Sequence, residues 1–107
     1  MVHENDNPEH VHEQIAECAA LLTEVIRALV DYPDGVHIGV VTGSQAVIFE
    51  VSVEPDDIRR VIGRKGRTAD AVRELLVDLG ARIGRRYLLE IVEPSNRVVP
   101  PPKGPKL

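Results

Sequence analysis

The stretch "QAVIFEVSV", residues 45–53, constrains the fold of this chain more than any other. Val47, Phe49, Val51 and Val53 alternate with Ile48, Glu50 and Ser52. Side chains along a strand point to opposite faces in turn, so the alternation predicts a strand with one buried face. Such a strand needs a second layer to cover it. Pro55-Asp56-Asp57 follows at once. Pro suits a first helical turn, and two acids favour the positive end of a helix dipole. The chain is therefore held to helices packed on a sheet.

Three helical segments supply that layer. Asn7-Pro8 predicts a helix start, with Asn as cap and Pro at the first helical position. Ile15, Cys18, Leu22, Val25, Ile26 and Leu29 then recur at helical spacing. This helix is expected to end by Tyr32, because Pro33 disfavours helical backbone in the residue before it. Pro33-Asp34-Gly35 is a turn. The β-branched run Val36 to Thr42 reads as a strand, joined to 45–53 by a two-residue hairpin at Gly43-Ser44. A short second helix runs from Pro55 to about Ile62 and stops at Gly63. After Gly66 a third helix carries the stripe Ala69, Val72, Leu75, Leu76, Leu79 and Ile83. "RRYLLEIVEP" closes as a strand with Tyr87, Leu89 and Ile91 on one face. The order α-β-β-α-α-β implies an α+β domain over 8–93, with three helices on one face of a three-stranded sheet. Residues 1–7 and the Pro-rich 94–107 read as disordered tails.

Composition narrows the function classes. Phe49, Tyr32 and Tyr87 are the only aromatic residues, so the core is aliphatic. Cys18 is the single cysteine, which excludes an internal disulfide and a multi-Cys zinc site and suits a reducing, intracellular setting. The opening residues are acidic and polar, unlike a signal peptide, and no apolar run approaches the roughly 18 residues of a membrane span. A cytoplasmic protein is expected. His3, His10 and His12 share no helical face and are not read as a metal site; His37 is isolated. No nucleophile–base set appears, and "GRKGRT" lacks the spacing and Gly-Lys-Ser/Thr ending of a P-loop. No cofactor and no enzymatic activity are expected.

The formal net charge of -4 conceals an asymmetry. Residues 1–35 hold eight acids against Arg27 alone, whereas 56–86 hold nine Lys/Arg against five acids. At the centre of the basic half stands "VIGRKGRT", residues 61–68. Gly63 and Gly66 permit a tight link between two helices and a close approach by a ligand's backbone. Main-chain N–H groups at the start of the third helix suit an anion. Arg64, Lys65 and Arg67 add positive charge where the helix dipole disfavours it, a cost that a bound phosphate would offset. Arg59, Arg60 and Arg73 read first as solvated or dipole-complementing residues, with auxiliary phosphate contacts as the alternative.

"VIGRKGRTADAVRELL" resembles the signature of the KH domain, a single-stranded nucleic-acid-binding module whose GXXG loop clamps about four nucleotides. The element order resembles its type II arrangement, which implies a mixed sheet. From about Leu21 to Glu93 the chain is similar to the small bacterial single-KH RNA-binding proteins of the KhpA type. The resemblance implies that Gly63, Arg64, Lys65 and Gly66 form the clamp, and that Ile62 and Val72 wall an apolar groove for bases. Ala69 stands where the broader pattern wants Ile or Val. It further implies a homodimer, or a heterodimer with a KH protein of the KhpB/Jag type, acting as an RNA chaperone or post-transcriptional regulator in cell elongation, division and wall synthesis. Two other readings stay open at this point: a protein-interaction module on a KH fold with little RNA affinity, and a ribosome-associated or single-stranded DNA binder.

Overall fold

The alternating run becomes the central strand. The computed structural model describes residues 8–93, in the order α1 (Pro8–Leu29), β1 (His37–Thr42), β2 (Ala46–Ser52), α2 (Ile58–Ile62), α3 (Arg67–Ala81) and β3 (Arg86–Ile91). The expectations for 1–7 and 94–107 fall outside the described residues. β1 pairs antiparallel with β2, and β2 pairs parallel with β3, giving a mixed three-stranded sheet in the order β1-β2-β3. Val47, Phe49 and Val51 are wholly buried and meet Tyr87 and Leu89 of β3 on the same face. Phe49 and Tyr87 touch edge to face, with ring centroids 4.9 Å apart, a favoured aromatic geometry. The helical stripes Val11, Ile15, Cys18, Leu22 and Ile26 from α1 and Ala69 and Leu76 from α3 close the core. α1 packs over β1, and α3 over β3.

Boundaries differ from expectation at the hairpin and at the end of α3, whereas α1 ends within its expected limit of Tyr32. α1 stops at Leu29, and the carboxylate of the fully buried Asp57 accepts the next free amides, Asp31 N–H and Tyr32 N–H, each at 2.9 Å. Asp57 thus ties the end of α1 to the start of α2; an acid favouring a helix dipole would sit in solvent. The hairpin link spans residues 43–45, closed by Gly43 N–H donating to Ala46 O at 2.8 Å, so the reversal falls at Ser44-Gln45 and no residue there takes positive φ. α3 ends at Ala81, and Ile83 reaches the core from the turn that follows.

Candidate nucleic-acid interface

The glycine loop is a single tight turn at the outer end of the two helices it joins. Gly63 N–H caps α2 on Arg59 O, and Gly66 N–H returns to Gly63 O. Arg67 N–H bonds Arg64 O. The amides of Gly66 and Arg67 are therefore spent inside the turn, so Arg67, the first residue of α3, does not offer its N–H outward. The amides of Arg64 and Lys65, heading a 3₁₀ turn, have no partner within it. Gly63 has φ 82° and ψ 169°, backbone that glycine alone adopts readily. A Cβ there would collide with the side chain and amide of Thr68. Gly66 has φ 77° and ψ 10°, and a Cβ there would meet nothing within 4 Å. Gly63 is a packing requirement; Gly66 fronts open space. Lys65 also takes a left-handed conformation, with φ 57°, at the tip of the turn.

The charges divide sharply. Arg59, Arg64, Lys65 and Arg67 are exposed and form no ion pair among the described residues. Arg60 instead reaches Asp31 at 2.9 Å and Asp57 at 3.7 Å, completing the carboxylate cluster that joins α1 to α2. Arg73 pairs with Asp70 at 3.3 Å on the surface of α3. Two open hollows adjoin the loop. One, of about 720 Å³, is lined by Leu29, Pro55, Asp56, Arg59, Arg60, Gly63 and Arg64. The other, of about 220 Å³, is lined by Arg59, Ile62, Gly63 and Arg64. Ile62 thus lies beside the loop.

Val72 and Ala69 do not. Val72 lines a small apolar cleft between α1 and α3 with Cys18, Leu21, Leu22, Val25, Leu75, Leu76 and Leu79. Ala69 is buried in the core. Both belong to the inward side of α3, so neither presents a surface beside the loop.

A scan of protein families matches this chain over residues 19–91 to the KhpA/KhpB KH domain. The chain belongs to the KhpA/KhpB KH-domain family. It is 39% identical over 72 residues to "RNA-binding protein KhpA" of Clostridium acetobutylicum, covering 67% of this chain and 96% of that one. It is 44% identical over 72 residues to the protein of that name from Chlamydia pneumoniae, covering 67% and 92%. The protein of the same name from Leifsonia xyli is 41% identical over 75 residues, covering 70% and 96%. No solved structure matches the chain.

In this KH fold the edge strand β3 offers a second set of groups. Arg86 N–H bonds Gln45 O, and Val92 N–H bonds Val51 O, so even-numbered residues face β2. The main-chain groups of Tyr87, Leu89 and Ile91 therefore face the open edge. On the flank of α3 turned away from α1 lie Asp70, Arg73 and Val77, and Val77 is 58% exposed. Sequence reasoning passed over Val77. Its signal is that it is aliphatic yet falls off the buried stripe. Among the described residues no group of three or more His, Cys, Asp or Glu could hold a metal, and no helix is long and apolar enough to cross a membrane. Cys18 is buried, and burial pushes its thiol up to about 11.

Proposed function

We propose that this protein is a non-catalytic, cytoplasmic single-stranded RNA-binding protein whose Gly63–Gly66 loop holds the sugar–phosphate backbone. One observation carries the reading: Arg64 and Lys65 stand exposed at the tip of the turn, and no carboxylate among the described residues engages either. The side chains and the Arg64 and Lys65 amides hold phosphates, and Arg59 and Arg67 extend the positive track. Bases lie against aliphatic surface, Ile62 near the loop and Val77 further along α3, with the open edge of β3 supplying donors and acceptors. The scarcity of aromatics fits this mode, since stacking-based binders need aromatic platforms. The relatives' printed name supports RNA as the ligand.

A single KH domain contacts few nucleotides, so a second domain raises the effective concentration. A homodimer or a pairing with a KhpB/Jag-type protein meets that need. The family resemblance supports a cellular role as an RNA chaperone or post-transcriptional regulator acting on cell elongation, division and wall synthesis.

The test is the double variant Arg64→Asp with Lys65→Asp, titrated with short single-stranded RNA and DNA at two salt concentrations. Both side chains are exposed, so unfolding stability should change by no more than about 0.5 kcal/mol. RNA affinity should collapse, and the salt slope of the parent chain should fall by about 0.7 for each phosphate that is no longer neutralised. Unchanged RNA affinity in this variant removes the loop from the mechanism.

A further inference from the structure

Asp-x-x-Arg occurs at Asp56 and Arg59, at Asp57 and Arg60, and at Asp70 and Arg73. Helical side chains at this spacing are neighbours. Two of the pairs close: Arg60 reaches Asp57 at 3.7 Å, and Arg73 reaches Asp70 at 3.3 Å. The remaining pair stays open. Among the described residues Asp56 and Arg59 form no ion pair or side-chain hydrogen bond, with each other or with any neighbour. Both are exposed, and both line the larger hollow beside the loop.

That hollow also has apolar walls. Leu29, the last residue of α1, keeps the helix's apolar spacing and yet is exposed, as is Pro55. Its volume is about 720 Å³, within the range of about 300–1,000 Å³ in which proteins seat small molecules. Arg59, Gly63 and Arg64 line both hollows, whereas Leu29 lines only the larger and Ile62 only the smaller. The larger hollow therefore opens off the loop towards the end of α1, away from Ile62.

We propose that the larger hollow seats one further nucleotide of the bound RNA, outside those the loop clamps, and that Asp56 selects guanine as its base. The inference rests on the loop's hold on the RNA backbone and adds to that reading a site and a base preference.

Charge divides the work within the hollow. Arg59 and Arg64 are its free cations and hold the phosphate, since Arg60 is engaged by Asp31 and Asp57. The face of the base lies on Leu29 and Pro55. Asp56 has no cation, and a carboxylate beside a phosphate is a cost unless the ligand brings donors. A base edge brings them, and exposed bases of single-stranded RNA are recognised on that edge. An ionised carboxylate only accepts, through two oxygens. Guanine presents two adjacent donors, N1–H and N2–H, and matches both oxygens at once. Adenine and cytosine set an amino group beside a ring-nitrogen acceptor. Uracil sets one N–H between two carbonyls. Each of these turns a lone pair towards the carboxylate, so the charge-assisted bidentate match favours guanine. A bare anion leaves Asp56 unmatched.

Two measurements test the proposal. Amide spectra of the isotope-labelled full chain are followed during titration with guanosine 5′-monophosphate, uridine 5′-monophosphate and inorganic phosphate, each to about 10 mM. Guanosine monophosphate should shift the amides of Leu29, Asp56 and Arg59 and bind several-fold more tightly than the other two. Anisotropy then uses an oligouridylate of roughly eight nucleotides, about twice the length a KH loop clamps, with a single guanosine placed at each position in turn. In the parent chain guanosine at one position should raise affinity about tenfold. Asp56→Asn should lose that advantage and bind oligouridylate more tightly, because a charge repelling the phosphates is gone. Arg59→Gln should weaken every sequence alike and lower the salt slope by about 0.7. Loss of all RNA binding with the mononucleotide shifts present would refute the loop's part and leave the guanine site standing. A guanosine preference unmoved by Asp56→Asn, no mononucleotide shift at the three amides, or equal shifts with inorganic phosphate overturns the proposal.

Discussion

Alanine at Gly63 and at Gly66 makes the same chemical change three residues apart, and the structure assigns the two very different consequences. At Gly63, φ 82° and ψ 169° lie where a side chain costs about 1–3 kcal/mol in backbone strain. The new Cβ would also stand 2.6 Å from Thr68 Cβ and 2.7 Å from Thr68 N. The second of these is main chain in the first turn of α3, so the helix itself must shift. A loss of about 3 kcal/mol is expected. At Gly66 the left-handed backbone costs about 1 kcal/mol for alanine, with no contact to add to it. For a domain of this size that is a fall in Tm of about 4–8 °C. Urea unfolding measures both. Fluorescence anisotropy with a labelled single-stranded RNA then asks what the open space at Gly66 is for. If a phosphate backbone passes there, the added methyl lowers affinity about tenfold, well beyond any effect of the unfolded fraction. Gly66→Asn sharpens the comparison, because Asn tolerates left-handed backbone and should recover stability without recovering affinity. Equal stability losses at Gly63 and Gly66 would refute the packing against Thr68. Full RNA affinity in folded Gly66→Asn would refute the close approach.

The remaining expectations concern stability. Asp57→Ala leaves the Asp31 and Tyr32 amides and the Arg60 guanidinium without their buried acceptor, and should cost about 3 kcal/mol in chemical denaturation; a loss under about 1 kcal/mol would show that water replaces the carboxylate. Stability should also fall at high pH. Burial pushes the Cys18 thiol from 9.0 up to about 11 and, with Cys18 nearby, the Tyr87 phenol from 10.0 up to about 12. Both are acids whose neutral form the fold favours, so the unfolded chain releases protons first. Stability from these groups is fully present below pH 9 and is lost progressively as pH rises from 9 towards 12, by a few kcal/mol in total, since each tenfold weakening of an acid by the fold is worth on the order of 1.4 kcal/mol. A flat unfolding free energy from pH 8 to 11 would contradict the burial of both groups.

Periodicity made much of this fold legible. The alternation of 47, 49, 51 and 53 marked the buried face of β2, and Tyr87, Leu89 and Ile91 did the same for β3. Periodicity reports which face is turned inward, though, and not which neighbour it meets. Val72 and Leu79 sit on the stripe of α3, but the stripe is broad, and this side of it meets α1. The flank beside the open edge of β3 is marked by Val77, an aliphatic residue out of phase. The same limit explains Ala69. A residue in the core stripe is small because the helix packs closely there, and its size says nothing about a ligand groove. Asp57 was unreadable for a different reason. Its partners lie 25 and 26 residues earlier in the chain, and nothing in a local pattern separates it from Asp56 beside it.

Arg59 and Arg60 carry that distinction into the site. Consecutive residues on a helix diverge by about 100°, so two adjacent arginines set out in different directions. Both line the larger hollow, but the Arg60 guanidinium is engaged by Asp31 and Asp57, while Arg59 also lines the smaller hollow with Gly63 and Arg64. The bridge from Arg60 to exposed Asp31 is worth little. Its hold on Asp57 matters more, since that carboxylate is fully buried and swinging Arg60 towards a phosphate would leave it without its cation. Arg60 is therefore held by two carboxylates, although it lines the larger hollow together with Arg59. Of the cations that carboxylates leave unclaimed among the described residues, Arg59, Arg64, Lys65 and Arg67 all lie on or beside one turn. A count of basic residues over 56–86 would overstate that surface, because it includes Arg60 and Arg73, which already have acidic partners.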